Sequence, residues 1–418
     1  MKEERGKPFY GWTIVAVSFF VNLILIGLSI HAFTALVKPI EDELEWSRKA
    51  ISAAMAFASI SMAISAPFVG RLIDRIGARF VMSAGAGIMA LCCFLLSRTE
   101  SLLYFYTLYG IAGVGQAAAT IIPVSLVISN WFHLKRGRAL GIAMAGTGLG
   151  GMIFVPIVTW IVVNWGWRTA FVFAGSMILL MIPVTLGFVR TRPSEKGLLP
   201  DGGIVSKSVV EESDGLTVQE AMRTTSFWLI GVMMFLYGAL VMGMIVHLMS
   251  YLTDIGHSPG VASLIFAIMT ALTVVGKIGI GFIADRWGLR KAVSLTYALI
   301  ITGILLLFGA EALIVAWIFA VVYGFAAGAP LLINPSLTVE SMGLRQFGVI
   351  FGSLTLLQTV GSGTGAFLAG FVYDTTQSYI PLFILFAVSM LVAGFCGLGT
   401  RKEIAGNPDA SAEVPATG

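Results

Sequence analysis

Hydrophobic and polar positions along this chain segregate into whole helices rather than into alternating faces. Runs of about 20 mostly apolar residues, long enough to cross a hydrocarbon layer as a helix, recur near 12–37, 47–69, 80–97, 101–128, 138–163, 168–189, 226–252, 258–284, 292–309, 312–338, 347–372 and 378–399. A long polar stretch, 190–223, separates six runs from six. A second one, 400–418, is poor in aromatics and is expected to be disordered. The pattern predicts an all-α membrane protein of twelve transmembrane helices in two six-helix bundles. The bundles span 1–190 and 225–400, with a cytoplasmic linker over 191–224 and a cytoplasmic tail over 401–418. The apolar run beginning at Trp12 exceeds the ~7–15 residues of a signal-peptide core, so it is read as the first span.

Composition sharpens this picture. Only 11% of residues are charged and 57% are hydrophobic, whereas soluble domains carry about 25% charged residues. Lipid is therefore the expected solvent. The net charge of +4 is small and dispersed, which excludes a nucleic-acid partner. The three cysteines, Cys92, Cys93 and Cys396, lie inside apolar runs, where a structural disulfide is not expected. With the N-terminus inside, twenty of the 26 lysines and arginines fall on the cytoplasmic side. Five, Lys38, Arg48, Lys49, Arg98 and Arg168, fall outside. That bias predicts cytoplasmic termini; a bacterial inner membrane is the expected location. Lys277 alone is left within a span.

The two halves repeat a motif. "GRLIDRIGAR" (70–79) follows span 2 and "GFIADRWGLR" (281–290) follows span 8. Both fit G-x-x-x-D-R-x-G-x-R: Gly70, Asp74, Arg75, Gly77 and Arg79, then Gly281, Asp285, Arg286, Gly288 and Arg290. Each is read as a short gating loop. Its glycines allow helix ends to approach, and its acid meets helix N-termini or arginines. Glycine clusters in span 5 (Gly141, Gly146, Gly148, Gly150, Gly151) and span 11 (Gly352, Gly361, Gly363, Gly365, Gly370) suit helices that pack closely and slide.

The paired motifs, the six-plus-six layout and the central linker resemble the major facilitator superfamily over the whole chain. Within it, "FYGW", "NWFHLKRGRALGIAMAGTGLGG", "GWRTAFVFAG" and "GSGTGAFLAGFVYDTTQSY" resemble the monocarboxylate transporter and oxalate/formate antiporter group. The resemblance implies a central cavity lined mainly by spans 1, 4, 7 and 10, with contributions from 2, 5, 8 and 11. It implies transport by rocking of the halves about a midplane site.

Charges near a bilayer centre cost at least ~2.5–3.5 kcal/mol, so those present usually face a water-filled path. Lys277 lies eight residues before Asp285, roughly 12 Å into the membrane at 1.5 Å per residue. A carboxylate substrate or a structural ion pair, with Asp254 as partner, would each explain it. The resemblance supports the substrate: the group carries a substrate-binding arginine in span 8 four residues before a glycine, and Lys277 stands four before Gly281. Two departures follow from the same alignment. The residue is lysine, and Thr273 stands where mammalian members place an acid.

Proton handling then falls to other residues. His247 and Asp254, seven apart in span 7, share a helix face and are the candidates for proton coupling. Hydrogen-bonded packing for the histidine and a solvated loop position for the aspartate are equally compatible with the sequence. His31, seven before Lys38, aligns with a lysine that mammalian relatives use in substrate entry; an interfacial anchoring role fits as well. Gln116, Thr120, Asn334, Gln358 and Tyr251 complete the substrate-binding candidates, each also able to bond a neighbouring helix. Oxalate carriers are expected to hold a second basic residue in span 11, and 347–372 contains none. One buried cation best balances one carboxylate.

No phosphate loop, CxxC or HExxH occurs, so ATP-driven transport, a metal centre, a cofactor and enzyme activity are not expected. The expected function is secondary transport of a small organic monocarboxylate such as lactate or pyruvate, proton-coupled, by a functional monomer in the lipid bilayer. Anion exchange of the oxalate/formate type, or export of bulkier organic anions, are the rivals. A non-transporting sensor with the same fold is the alternative from another class.

Overall fold

The structure is a computed structural model that describes residues 9–132, 135–202, 215–343 and 345–403. Within them the chain is helical, and the only strand-like feature is a single bridge between Gly215 and Gly343. Ten segments are long and apolar enough to cross a membrane. One of these, Arg138–Phe188, is two helices, because Gly166 breaks it with φ 80° and ψ 164°. A further thirty-residue helix, Phe347–Thr376, completes twelve crossings.

In chain order these are α1 (Gly11–Ala35), α2 (Arg48–Ile76), α3 (Ala78–Leu96), α4 (Leu102–Trp131), α5 (136–165) and α6 (167–188). The second six are α7 (Thr225–Asp254), α8 (Pro259–Trp287), α9 (Leu289–Gly309), α10 (Leu313–Met342), α11 (Phe347–Thr376) and α12 (Ile380–Gly399). A short helix, Val37–Leu44, lies between α1 and α2.

The repeat seen in the motif extends to the joints. Positive φ angles occur at Glu45 and Gly256, at Gly77 and Gly288, and at Gly166 and Gln377, each pair 211 residues apart. The helices that follow the first of these joints start alike: Ser47 accepts the Ala50 amide at the head of α2, and Ser258 accepts the Val261 amide at the head of α8. A side-chain oxygen satisfies an amide that the helix leaves free.

The motif itself differs from its expected form. Residues Gly70–Ile76 continue α2, and Gly281–Trp287 continue α8. The turn is made by one residue in each half, Gly77 (φ 86°) and Gly288 (φ 92°), a backbone region that glycine enters without Cβ strain. The close approach expected at the first glycine is also absent: nothing lies within 4 Å of a Cβ built at Gly70, and only a leucine methyl lies 3.6 Å away at Gly281. Arg290 donates to the carbonyls of Leu398 and Thr400 at 3.2 and 2.9 Å. Arg79 lies over Phe80, and Arg75 and Arg286 are exposed. The side chains of Asp74 and Asp285 lie outside the described residues, as do 203–214 of the linker and 404–418 of the tail.

The two halves meet chiefly along two helix pairs, α2 with α11 and α5 with α8, with lesser contacts of α7 against α1 and the short helix. Small residues bring these helices together. A Cβ at Gly370 would lie 2.6 Å from the Lys49 Cα, and one at Gly148 would lie 3.0 Å from the Thr273 hydroxyl. Among the described residues, every hydrogen bond and ion pair between the halves lies at the end holding Lys38, Arg48 and Asp254. That end is termed distal; the opposite, linker end carries the motif.

Candidate functional site

Three helices of the core lose their regularity at mid-length. In α1, Gly27–His31 winds as a π-helix and Ala32–Ala35 as a 3₁₀-helix. In α4, Thr120 takes φ −112° and ψ −119° and divides the helix, three residues before Pro123. In α10 the ladder is interrupted between Ala327 and Pro330. Irregular backbone at membrane depth is tolerated where it lines a cavity or is buried in protein.

The α1 and α10 irregularities border a cavity of about 120 Å³, lined by α1, α5, α7, α8 and α10. Lys277 and His31 share it, from opposite halves. Lys277 is half-buried, and its ammonium makes no hydrogen bond or ion pair among the described residues. His31 packs edge-on against Phe266 of α8, with ring centroids 6.0 Å apart, and its buried Nδ1 has no hydrogen-bond partner among the described residues. Thr147, Thr270, Thr273, Tyr237 and Tyr323 add polar groups to the wall. Several of these hydroxyl protons are committed: Thr273 donates to Thr270 O at 2.7 Å, Thr147 to Met144 O at 2.8 Å, and Tyr237 to Ala327 O at 2.5 Å. The cavity thus presents one cation, one imidazole nitrogen and several hydroxyl oxygens. It can hold one small anion.

The expected lining is only partly realised, since α4 contributes nothing to this cavity. Thr120 is buried and donates to the Gln116 carbonyl at 2.7 Å, closing its own helix rather than facing the cavity. Gln116 is half-buried on the same helix, away from the lining. Gln358 packs against α7, where a Cβ at Gly238 would collide with its carbonyl oxygen. Asn334 is buried, and neither side-chain atom has a partner among the described residues. Tyr251 donates to the Leu307 carbonyl and packs edge-on against Phe383, so its hydroxyl is spent inside the second half.

His247 and Asp254 are not in the cavity. They belong to a cluster at the distal end that spans both halves. Asp254 accepts from Arg48 through both carboxylate oxygens and from Lys38 at 2.7 Å. Arg48 also donates to Glu41 at 2.7 Å and to the Tyr379 hydroxyl at 2.9 Å, with its guanidinium 3.9 Å over the Tyr373 ring. His247 holds Tyr379 through Nδ1 at 3.0 Å, and Ser52 and the Ala366 carbonyl through Nε2 at 2.8 and 3.2 Å. Lys49 N donates to Asp374 beside them. Asp254 stands at an exposed helix end, yet its carboxylate is 20% exposed and doubly bound rather than free in solvent. A structural pair between Asp254 and Lys277 is overturned, because Asp254 is held by the other half.

Next to this cluster a second cavity, of about 320 Å³, is lined by Lys38, Asp42, Ser250 and His257 among others. The Met249 amide donates to Thr34 across the halves at 3.4 Å beside it. Outside the spans, Glu43 binds Arg168 and accepts from the Trp167 indole at 2.6 Å. The Arg168 hydrogen bond, followed by that of Trp167, holds this carboxyl below the usual carboxylate range.

Arg48, Tyr379, Ser52 and Glu41 were not singled out by sequence. Arg48 looked like a loop charge at the head of a span. Its one signal was that an arginine at a helix N-terminus opposes the helix dipole and so asks for a partner.

Comparison with known proteins places the chain among carriers. Residues 17–364 match the family model described as Major Facilitator Superfamily, and residues 249–417 match it again. Monocarboxylate transporter 13 of Rattus norvegicus is 26% identical over 399 residues, covering 94% of this chain and 89% of that protein. The oxalate:formate antiporter of Oxalobacter formigenes is 24% identical over 413 residues and 96% of each chain. Among solved structures, a bacterial homologue of the human lysosomal transporter Spinster superposes with a TM-score of 0.70 at 15% identity, covering 94% of this chain and 97% of that one. A point mutant of the nucleoside transporter NupG gives 0.68, also at 15% identity, over 93% and 99%.

Proposed function

The chain belongs to the Major Facilitator Superfamily, and from that premise we propose that it carries small organic monocarboxylates, of the lactate or pyruvate kind, together with a proton. It is a membrane transporter and not an enzyme. The observation that carries the proposal is the Lys277 ammonium, which borders the central cavity without an internal counter-ion among the described residues. A substrate carboxylate supplies that counter-ion. A lysine suits this task, since its point charge with three donors accepts one carboxylate in many orientations. His31 closes the opposite wall, and the hydroxyl oxygens of Thr147, Thr273 and Tyr237 face the rest of a small solute.

In this reading the halves rock about the cavity, with Gly77 and Gly288 as the joints of the linker-end motif. The termini are cytoplasmic in a bacterial inner membrane, the distal end faces outward, and the monomer suffices. The proton is taken up at the distal pair His247 and Asp254.

Uptake of a labelled acid panel by cells tests the substrate site. Lys277→Ala should cost at least ~30-fold in uptake, since removing one partner of a desolvated charge pair costs about 2–5 kcal/mol, and Lys277→Arg should restore part of it. Unchanged uptake in the alanine variant removes the proposed site.

A second reading, anion exchange, is favoured by the likeness to the oxalate:formate antiporter. Proteoliposomes separate the two. Uphill uptake driven by an imposed pH gradient supports symport; strict dependence on internal anion supports exchange.

A further inference from the structure

We infer that the distal cluster is a proton-released latch: Arg48, Asp254, Tyr379 and His247 hold the halves together only around a neutral imidazole, and a proton taken up by His247 opens them.

The argument is a count of hydrogen atoms. Arg48 Nη1 donates to the Tyr379 oxygen at 2.9 Å, and a guanidinium has no acceptor to offer in return. The Ala366 carbonyl on Nε2 can only accept, so a neutral ring leaves Nδ1 bare and the single proton of the Tyr379 hydroxyl goes to it, 3.0 Å away. The imidazole then carries its one hydrogen on Nε2. There it faces the Ala366 carbonyl, which can only accept, at 3.2 Å, and the Ser52 hydroxyl at 2.8 Å. Every ring position is used, and the neutral ring fits.

A second proton on Nδ1 has no place in this arrangement. It would point at a hydroxyl oxygen already taking a hydrogen bond from Arg48, and the tyrosine's own proton would lose its acceptor. It would also add a cation one hydroxyl away from the guanidinium. The charged and titratable groups around the imidazole do not offset it. The short helix brings Lys38 and Glu41, α2 brings Arg48 and Lys49, α7 brings Tyr251 and Asp254, α11 brings Tyr373 and Asp374, and the segment before α12 brings Tyr379. Asp254 and Glu41 are already bound to Arg48 and Lys38, and Asp374 accepts from the Lys49 amide. Water cannot help either, because His247 and Arg48 are each 2% exposed.

Of the bonds that join the halves, the one so disturbed is Arg48 to Tyr379, made by the same guanidinium that binds Asp254 across the seam. Separation of the halves withdraws Ser52 and Arg48 and leaves the imidazolium to water. The proton must leave His247 before the latch re-forms. This inference concerns the conformational equilibrium and holds whatever solute the cavity carries.

The test is a distance between spin labels at Asp42 and Thr376, exposed positions on opposite halves of the distal end. It uses the full-length chain in nanodiscs without substrate, with Cys92, Cys93 and Cys396 replaced by alanine. Linkage of one proton predicts that the open-to-closed ratio rises by up to about tenfold per unit as pH falls from about 8 to 5. His247→Gln, a neutral side chain that still donates and accepts, should keep the short distance across that range. His247→Asn serves if the glutamine variant does not fold. A wild-type acid response in the neutral variant, or no response in the wild-type chain, overturns the latch.

Discussion

Arg48, at the head of α2, and Asp254, the last residue of α7, are bound to each other across the two halves, with the arginine side chain 3% exposed and the aspartate 20%. Breaking a buried pair by removing one partner costs about 3–5 kcal/mol, because the other charge is stranded. Asp254→Asn should therefore weaken the distal closure. Ser250 is 1% exposed and lines the distal cavity. A cysteine placed there should react at least about tenfold faster with an impermeant maleimide in the Asp254→Asn background, given the size of that penalty. Equal labelling rates would show that the pair does not hold the end shut.

Charge balance in the cavity bears on selectivity. Among the described residues Lys277 is the one cationic side chain lining it, and a second, uncompensated carboxylate pays its own desolvation. Competition against labelled lactate should rank monocarboxylates above oxalate and malonate by at least about tenfold, a margin of roughly 1.4 kcal/mol. Equal inhibition by oxalate would favour the exchange reading.

Glycine positions differ sharply in what they tolerate. A Cβ at Gly276 on α8 would overlap the Phe325 carbonyl oxygen on α10, whereas nothing lies within 4 Å at Gly352. Backbone cannot give way as a side chain does, so Gly276→Ala forces two helices apart at a cost above about 3 kcal/mol. Size-exclusion profiles and melting in detergent should show Gly276→Ala aggregated or strongly destabilised and Gly352→Ala close to wild type.

Glu43 gives a pH signature at the surface. Its carboxyl is held low chiefly by Arg168, so the pair contributes stability above the ordinary carboxylate pKa and loses it as pH falls through the depressed value. The glutamate is half exposed, and screening leaves under about 1 kcal/mol. Glu43→Gln should lower the melting temperature by roughly 1–3 °C at neutral pH, and the difference should shrink as pH falls through the depressed carboxyl range. A difference that persists at the acid end would assign the effect to packing.

The spans, their division six and six, and the 211-residue repeat were legible because lipid demands length and apolarity over whole segments. The motif glycines were legible as positions, but their geometry was not. That Gly77 and Gly288 alone turn the chain, while the preceding residues stay helical, depends on where each helix ladder ends. Lys277 stood out as a charge inside oil, and it lines a cavity shared by the two halves.

Membrane helices are apolar nearly all round, so the sequence by itself determined how many helices there are and where they stop, not which faces meet. Only the tertiary structure decided that Ser52 meets His247 and Arg48 meets Tyr379, across 195 and 331 positions of chain. It likewise moved His247 and Asp254 from a shared helix face into a seam between the halves, and left Gln116 and Tyr251 outside the cavity. The physical reason is that a buried polar group is satisfied by whichever partner rigid packing brings within about 3 Å, and that partner is chosen by how two bundles lean together.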